Sequence, residues 1–438
     1  MVEFTPDQEK FLRYECSNNH CFYATSDRFN LFRHEAVCRS STLINYKQLA
    51  LTKPDDTARK ALELEGIIPN DTWQNWHFAC YDIECFTDHS QDPFQAYGVH
   101  RLVSIAIKSS FGSEAFIVRK NMTPDSLRPM LEHFRLFLVN LREEMLDELP
   151  DSVIKGLKKY QEIVWDESFK SLPVAEQTAC RAKLRYLTDC LKLRIYSWNG
   201  ERYDNNVIFA PLMDILQYQQ GDFSRMNIIR RGTGIMEFSF GNLVFRDFLN
   251  FSCPIKLEAF AKSCGLAEKA KTAFPYELYK DISDLKSVQE FPAYPLFYSS
   301  LPKETDGYAE ELIKLVNCNI SSGIWKNASD VQEFFEFSPD LVLEFENDRL
   351  VEVTVRDGSE LSEVLHTCPK MFFESKCFFR QTCGTMLDYL EAYNKNDVII
   401  LDECIKVYAK GIYDTWKVNI HQFMSLPGVA QGLLTNHN

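Results

Sequence analysis

The sequence has no hydrophobic run long enough to cross a membrane, and its amino terminus lacks the apolar stretch of a signal peptide. The first ten residues, MVEFTPDQEK, are instead rich in charge. These absences argue against an integral membrane protein and against a secreted precursor. They predict an intracellular protein of the nucleus or the cytoplasm.

Positive charge is scarce relative to negative charge. The 438 residues contain 48 Lys and Arg against 62 Asp and Glu, so the formal net charge is −14 at pH 7. Such a balance argues against a protein whose main role is to coat nucleic acid nonspecifically. It does not exclude an enzyme that engages nucleic acid through one local groove and a carboxylate-rich metal site.

The 14 cysteines form no dense, regularly spaced disulfide framework, and most are expected to be buried thiols. The first segment is an exception, because Cys16, Cys21, His34 and Cys38 follow the spacing Cys-x4-Cys-x12-His-x3-Cys. Thiolate and imidazole ligands at this spacing suit tetrahedral Zn²⁺, on which a unit too small for its own core can fold. Residues 1–45 are therefore predicted to be a C2HC-type zinc finger with a structural Zn²⁺; accidental spacing is the alternative.

The chain also lacks internal repeats and low-complexity tracts, and 45% of its residues are hydrophobic, which is ample for a large core. Residues 46–75 are predicted to be a helical linker, followed from 76 to 438 by one α/β domain. HFACYDIECF, HRLVSIAIKSS, GSEAFIV and RIYSWNG read as strands, and IMEFSFGNLVFRDF reads as a hairpin that turns at Gly241. Two stretches are interpreted as insertions, a helical one at about 123–192 and an irregular, hairpin-containing one at about 281–383.

Two carboxylates interrupt a strand that otherwise reads as buried on both faces. In FACYDIECF, Asp82 and Glu84 are two residues apart and therefore project from the same face, while Tyr81, Ile83 and Cys85 point to the other. Adjacent hard oxygen ligands suit a divalent cation such as Mg²⁺ or Mn²⁺. The alternative is a strand end whose acids are solvated or paired with Lys or Arg.

Two further carboxylates stand out by their context. In SWNGERYDNNVIF, Asp204 begins a helix directly after a strand, at the edge where open α/β sheets place their sites. In YLEAYNKNDVIIL, Tyr393 and Asp397 are four residues apart and share one face of a helix. Taken singly, each could be a solvated helix residue.

The order of these motifs resembles that of the three exonuclease motifs of family B DNA polymerases: D-x-E on a strand, N-x3-Y-D at a strand-to-helix junction, and Y-x3-D on a carboxy-terminal helix. The stretches GNLVFRDFLNFSCPIKLEAFAKSCGL, KTAFPYELY and TMLDYLEAYNKNDVIIL are similar to the protein-primed branch, which includes polymerases of transposons, viruses and linear plasmids. The similarity covers about Trp76 to Leu434.

The resemblance implies an α/β, ribonuclease H-like fold, a mixed sheet flanked by helices, with a 3′-to-5′ exonuclease site. Catalysis would use two Mg²⁺ or Mn²⁺ ions roughly 4 Å apart on a phosphodiester. The resemblance assigns metal ligation to the four acids Asp82, Glu84, Asp204 and Asp397, orientation of the attacking water to Tyr393, contact near the scissile phosphate to Lys271, and binding of the 3′ end to Asn199 and Tyr203. The implied partner is DNA with single-stranded or frayed 3′ ends, and a terminal protein or another replication partner is a further candidate.

Two departures from the family pattern qualify this interpretation. Cys85 follows Glu84 where a hydroxyl residue that touches the substrate is common, and no polymerase palm signature of the D-x-x-S-L-Y-P or Y-x-D-T-D type is found. The expectation is a nuclease that does not polymerise DNA, either standing alone or part of a longer polymerase. A noncatalytic module that keeps the fold to bind nucleic acid or a partner is the alternative, and an unrelated metal phosphoesterase would need histidine ligands that the chain does not offer near the acids.

Overall fold

The structure is a computed structural model that describes residues 14–15, 24–25, 56–70, 74–88, 99–217, 226–252, 254–266, 273–297 and 307–436. The chain divides into two compact units. One comprises residues 1–56 with 431–438, and the other comprises residues 57–430. Each is described by itself.

The described part of the first unit contains two short antiparallel strands, β1 (Tyr14–Glu15) and β2 (Ala24–Thr25). Tyr14 pairs with Thr25, and Glu15 pairs with Ala24. The predicted zinc ligands Cys16, Cys21, His34 and Cys38 lie outside the described residues. The zinc finger therefore stays a prediction.

The second unit is built on a seven-stranded mixed sheet. Its strands are β3 (Phe78–Asp88), β4 (Val99–Ser109), β5 (Glu114–Val118), β6 (Leu193–Ser197), β7 (Asn227–Arg231), β8 (Gly234–Phe240) and β9 (Leu243–Asp247). They lie in the order β5-β4-β3-β6-β9-β8-β7; β6 runs parallel to both β3 and β9, and the other neighbours are antiparallel. The predicted hairpin of β8 and β9 turns at Gly241, whose φ of 56° suits glycine.

Helices and one further hairpin complete this unit, and the last of these helices extends past residue 430, where the unit ends. The helices are α1 (Asp56–Leu64), α2 (Leu127–Glu148), α3 (Asp151–Trp165), α4 (Val174–Cys190), α5 (Asp204–Gln217), α6 (Leu257–Ser263), α7 (Ile282–Ser287), α8 (Tyr308–Ser321), α9 (Ala328–Phe335), α10 (Leu361–Val364), α11 (Pro369–Thr382), α12 (Met386–Trp416) and α13 (Leu426–Asn436). The hairpin pairs β10 (Leu341–Glu346) with β11 (Arg349–Val355). The fold is thus α/β, with a mixed sheet flanked by helices.

One face of the sheet is covered by α2 and α5. The helical period of α2 buries Met130, Leu131, Phe134, Leu138, Leu141 and Met145, and these side chains join Tyr81, Ile83 and Cys85 of β3 in one apolar cluster. The first helix of the predicted insertion at 123–192 is therefore part of the core, because its apolar stripe packs on the sheet. Only α3 and α4 pack away from it, in a smaller cluster with α1.

The other face of the sheet carries α12, which lies against β3 and β4. Its first turns continue into a large cluster of aromatic side chains drawn mainly from residues 274–379. The stretch at 281–383 was expected to be irregular, but its described residues form α7 to α11 and the β10–β11 hairpin around this cluster. Several short helices share this one core. Their phenylalanines are therefore unevenly spaced along the sequence, and no clear helical period is visible.

No helix in the described part of the chain is both long enough and apolar enough to cross a membrane.

Candidate active site

Asp82 and Glu84 lie on the face of β3 that α12 covers. Alternation puts them on the side opposite Ile83, and Phe86 continues their face into the aromatic cluster. The pairing of β3 with β4 shifts register between Glu84 and Cys85, as in a β-bulge. Glu84 is only 6% exposed, so the predicted pair of acids on a buried strand is present in the fold.

An asparagine of α12 ties the helix to this acidic strand. The side-chain N–H of Asn394 donates to Oδ2 of Asp82 at 2.8 Å, and its Oδ1 accepts from the hydroxyl of Ser104 on β4 at 3.2 Å. Asp397, one helical turn further along α12, is buried on the same face. The helix is therefore held with its carboxylate toward the strand that carries the other acids.

Tyr393 belongs to a second contact between the same elements. Its hydroxyl lies 3.0 Å from the hydroxyl of Tyr276, within hydrogen-bond distance, and the Glu84 carboxylate is a second hydrogen-bond partner of Tyr276. Burial, the Glu84 carboxylate and Tyr393 raise the pKa of Tyr276 well above its usual value. Tyr276 therefore stays protonated at neutral pH and links Tyr393 of α12 to the acid of β3.

The loop after β6 is shaped to deliver Asp204 to the end of the sheet. Asn199 adopts a φ of 64°, a left-handed conformation that asparagine tolerates, and a Cβ on Gly200 would stand 1.8 Å from the hydroxyl oxygen of Ser197. Asp247, at the end of β9, accepts from the backbone N–H of Glu201 at 3.0 Å. The close approach at Gly200 and the carboxylate of Asp247 together fix the turn.

The start of α5 is anchored to β3. The hydroxyl of Tyr81 donates to Oδ1 of Asn205 at 2.6 Å, and the backbone N–H of Ile83 donates to the carboxylate of Asp204. Asp204 is 3% exposed. Burial, and then the neighbouring carboxylate of Asp82, raise the pKa of Asp204 well above its usual value. The structure therefore brings Asp82 and Asp204 close together although they are far apart in sequence.

Tyr203 faces a neighbour that the sequence did not indicate. Its hydroxyl lies 2.7 Å from Nδ1 of His100, which is on β4. Burial, and then the adjacent Cys85, raise the pKa of Tyr203. Burial raises the pKa of Cys85 itself to about 12, so it is a neutral thiol beneath the tyrosine. Asn199 lies four residues earlier in the same loop and is half-buried.

The sequence interpretation missed three residues that organise the site, and one predicted residue lies outside the description. Asn394, Tyr276 and His100 are ordinary polar positions in one sequence; only Asn394 gave a signal, being an amide next to Tyr393 on a buried helix face. Lys271 lies outside the described residues.

The acids offer a partial fit to a divalent cation. A buried carboxylate whose pKa is raised by a neighbouring carboxylate is a setting in which a divalent ion is stabilising, and Asp204 beside Asp82 meets this condition. Within the described residues, however, no three His, Cys, Asp or Glu side chains form a group that could hold a metal ion. The participation of Glu84 and Asp397 as further ligands stays a prediction.

Comparison of the chain with protein-family models, with curated proteins and with solved structures gives no match. The resemblance to family B polymerases therefore rests on the sequence motifs themselves.

Proposed function

We propose that this chain is a metal-dependent 3′-to-5′ exonuclease module of the family B DNA polymerase type, with a ribonuclease H-like fold. The observation that carries the proposal is the pair of buried Asp204 and half-buried Asp82, opposite a helix that carries Tyr393 and Asp397. Buried like charges are costly, and a chain gains from placing them together where they bind cations.

The proposed roles follow from the contacts of each side chain. Tyr393 is held by Tyr276 beside Glu84, so a hydroxyl is available to orient a water molecule for attack on a phosphodiester. Mg²⁺ or Mn²⁺ would activate that water and stabilise the leaving 3′ oxygen. Asn394 keeps Asp82 oriented, which preserves the ligand direction when substrate enters.

The loop after β6 is proposed to bind the 3′-terminal nucleotide of single-stranded or frayed DNA. Asn199 offers an amide for hydrogen bonding, and Tyr203 offers a ring on which a base can stack. His100 holds the phenol of Tyr203 at 2.7 Å, so the ring is prepositioned for that contact. Lys271 would contribute a cation near the scissile phosphate.

The test is digestion of a 5′-fluorescent single-stranded oligonucleotide by the purified chain with Mg²⁺ or Mn²⁺. We expect a ladder of shortened products from the wild type that disappears in the Asp82→Ala/Glu84→Ala variant. Equal activity of the two proteins would refute the assignment. A control variant, Asp214→Asn on the exposed face of α5, should digest as the wild type does.

A noncatalytic module that binds DNA or a partner is the second candidate. It is favoured by the absence, among the described residues, of a complete metal-binding group. Under this alternative neither the wild type nor the variant digests the oligonucleotide, whereas both bind it.

The zinc finger proposed for residues 1–45 is tested separately by metal analysis. We expect close to one equivalent of zinc, lost on Cys16→Ser. Intact protein without zinc would refute the finger and leave the exonuclease proposal untouched.

A further inference from the structure

A second polar cleft lies at the opposite end of the sheet from the acids. It has a volume of about 800 Å³ and is enclosed by α2, α3, α4 and the β8–β9 hairpin. Lys192 and Leu193, which line it, precede the body of β6, whereas Asp204 follows its end. The strand separates the two places by roughly 15 Å, so the cleft is distinct from the proposed nuclease site.

Two arginines on one face of α2 line this cleft. Arg135 and Arg142 are seven residues apart and therefore share a face of the helix, with Val139 between them. The Nε atoms of both arginines are buried, and neither has a hydrogen-bond partner within the part of the chain that the structure describes. Buried donors of this kind are nearly always satisfied in proteins, so two of them bordering one cleft point to an acceptor that enters it.

The charge of the lining is positive although the chain as a whole carries −14. Lys192 adds a third cation, which lies 2.9 Å from Asp189. Among the described residues that line the cleft, the one acid is Glu237, which pairs with Arg246 at 2.7 Å. Arg142 also donates from a terminal nitrogen to Glu143 at 2.9 Å, so the groups left to bind an anion from outside are the Nε–H donors of Arg135 and Arg142.

The rest of the lining suits a flat heteroaromatic ring rather than a bare anion. Trp165, 70% exposed at the end of α3, offers a surface for stacking, and Leu157 and Leu184 are apolar neighbours. Gln161 and Asn242 add amides, which both donate and accept hydrogen bonds as the edge of a base does. The volume is that of a site for one small-molecule ligand.

We infer that this cleft binds a nucleoside phosphate, with the phosphates on Arg135 and Arg142 and the base against Trp165. Guanidinium groups are the preferred partners of phosphate because their planar array of donors matches its oxygens. The inference does not rest on the proposed exonuclease activity, since none of its residues belongs to that site.

The experiment is calorimetric titration of the full chain with ATP, ADP and AMP in the presence of EDTA. The chelator removes divalent cations, so phosphates are repelled by the acidic site and any binding reports on the cleft. We expect saturable binding of at least one nucleotide, weakened about tenfold or more by Arg135→Gln/Arg142→Gln. Arg128→Gln, on the exposed side of α2 next to Glu132, is the matched control and should bind as the wild type does.

Further arms test each part of the ligand. Quenching of tryptophan fluorescence by nucleotide should be lost in Trp165→Phe, and Asp82→Ala/Glu84→Ala should bind nucleotide normally. The inference is refuted if no nucleotide binds at millimolar concentration, or if the double arginine variant binds as tightly as the wild type with the same thermal stability. It is also refuted if adenosine or inorganic phosphate alone binds as tightly as the nucleotide.

Discussion

At the scale of single residues, Asp204 shows how a proposed metal ligand can oppose stability. Its carboxylate is buried at the start of α5 beside Asp82, and both effects raise its pKa. Two backbone N–H groups, from Ile83 and from Asp204 itself, offset only part of this cost. An acid whose pKa rises on folding binds its proton more tightly in the native state, so the native state loses stability as the pH rises above the unfolded pKa.

The substitution Asp204→Asn should therefore stabilise the protein and inactivate it. Without added divalent cations we expect the free energy of unfolding at neutral pH to rise by about 1–2 kcal/mol, because a buried charge is removed while an acceptor oxygen remains. The gain over the wild type should shrink toward pH 4, where Asp204 is protonated. Exonuclease activity should fall by about a hundredfold or more.

Urea unfolding at several pH values measures this effect. Asp214→Asn, an exposed position on the same helix, serves as the control and should change stability little. If Asp204→Asn lowers the free energy of unfolding at every pH, the carboxylate stabilises the fold and its proximity to Asp82 is not destabilising.

His421 is predicted to govern stability at mildly acid pH. It is buried, its Nδ1 lies 3.0 Å from the hydroxyl of Tyr196, and burial followed by Arg194 and Arg246 lowers its pKa well below 6.5. His421 therefore binds a proton in the unfolded chain but not in the native state, so the free energy of unfolding falls as the pH drops below about 6.5. Wild-type melting temperature should decline between pH 7 and 5.

The matching variant is His421→Gln, which should show a smaller decline over the same range. His133→Gln, at an exposed position of α2, should decline as the wild type does. Parallel pH profiles for all three proteins would show that other groups control acid sensitivity.

At the scale of elements, the relation of α12 to the sheet decides whether the acids face one another. Asn394 is one of the polar ties between α12 and the sheet, since it bonds both Asp82 and Ser104. A buried asparagine that hydrogen-bonds with two partners fixes the orientation of its helix more than it raises the free energy of unfolding. Its loss should therefore affect the alignment of Asp397 and Tyr393 with β3.

We expect Asn394→Ala to lower the free energy of unfolding by about 1–3 kcal/mol, because Asp82 and Ser104 lose a buried partner. Exonuclease activity should fall about tenfold or more. Asn396→Ala, two residues along α12 and partly exposed, is the control and should change both quantities little. Loss of stability with full retention of activity would show that Asn394 has no positioning role.

Local patterns in the sequence were sufficient to predict the elements that carry the acids. The alternation of FACYDIECF, the small-residue turn before Asp204 and the helical period of α12 depend on neighbours within one element, and the strand, the helix start and the helix are present in the structure. The contact between Tyr276 and Tyr393 is different, because it joins residues 117 positions apart in the chain. No periodicity within a segment can reveal such a pairing.

The same reasoning applies to the two stretches interpreted as insertions, whose status as insertions stays a prediction. The helical stretch that begins with α2 was expected to be an insertion, but six apolar positions of α2 are buried against the sheet. Residues 281–383 were expected to be irregular because short helices that share one aromatic core show too few turns for a clear period. In both cases the structure of the segment depends on packing between elements, which the residue pattern within one segment does not reveal.

At the scale of the whole molecule, cation binding at the proposed site would couple that site to the stability of the fold. Asp82 lies on β3, Asp204 begins α5, and Asp397 lies on α12, so ions held between them would join the sheet to helices on both of its faces. A ligand that binds only the native state raises the free energy of unfolding by RT ln(1 + [L]/Kd). Binding can therefore be detected without substrate and without turnover.

We predict that Mn²⁺ or Mg²⁺ stabilises the chain in a saturable way, by about 1.4 kcal/mol when the ion is at ten times its dissociation constant. The effect should disappear in Asp82→Asn/Asp204→Asn, which starts from a higher stability because its buried charges are gone. Thermal unfolding at constant ionic strength, with K⁺ replacing the divalent salt in the control, separates binding from screening. An equal shift in the wild type and the double variant would place the cation elsewhere. The absence of any shift in the wild type, combined with intact DNA binding, would favour the noncatalytic module over the nuclease.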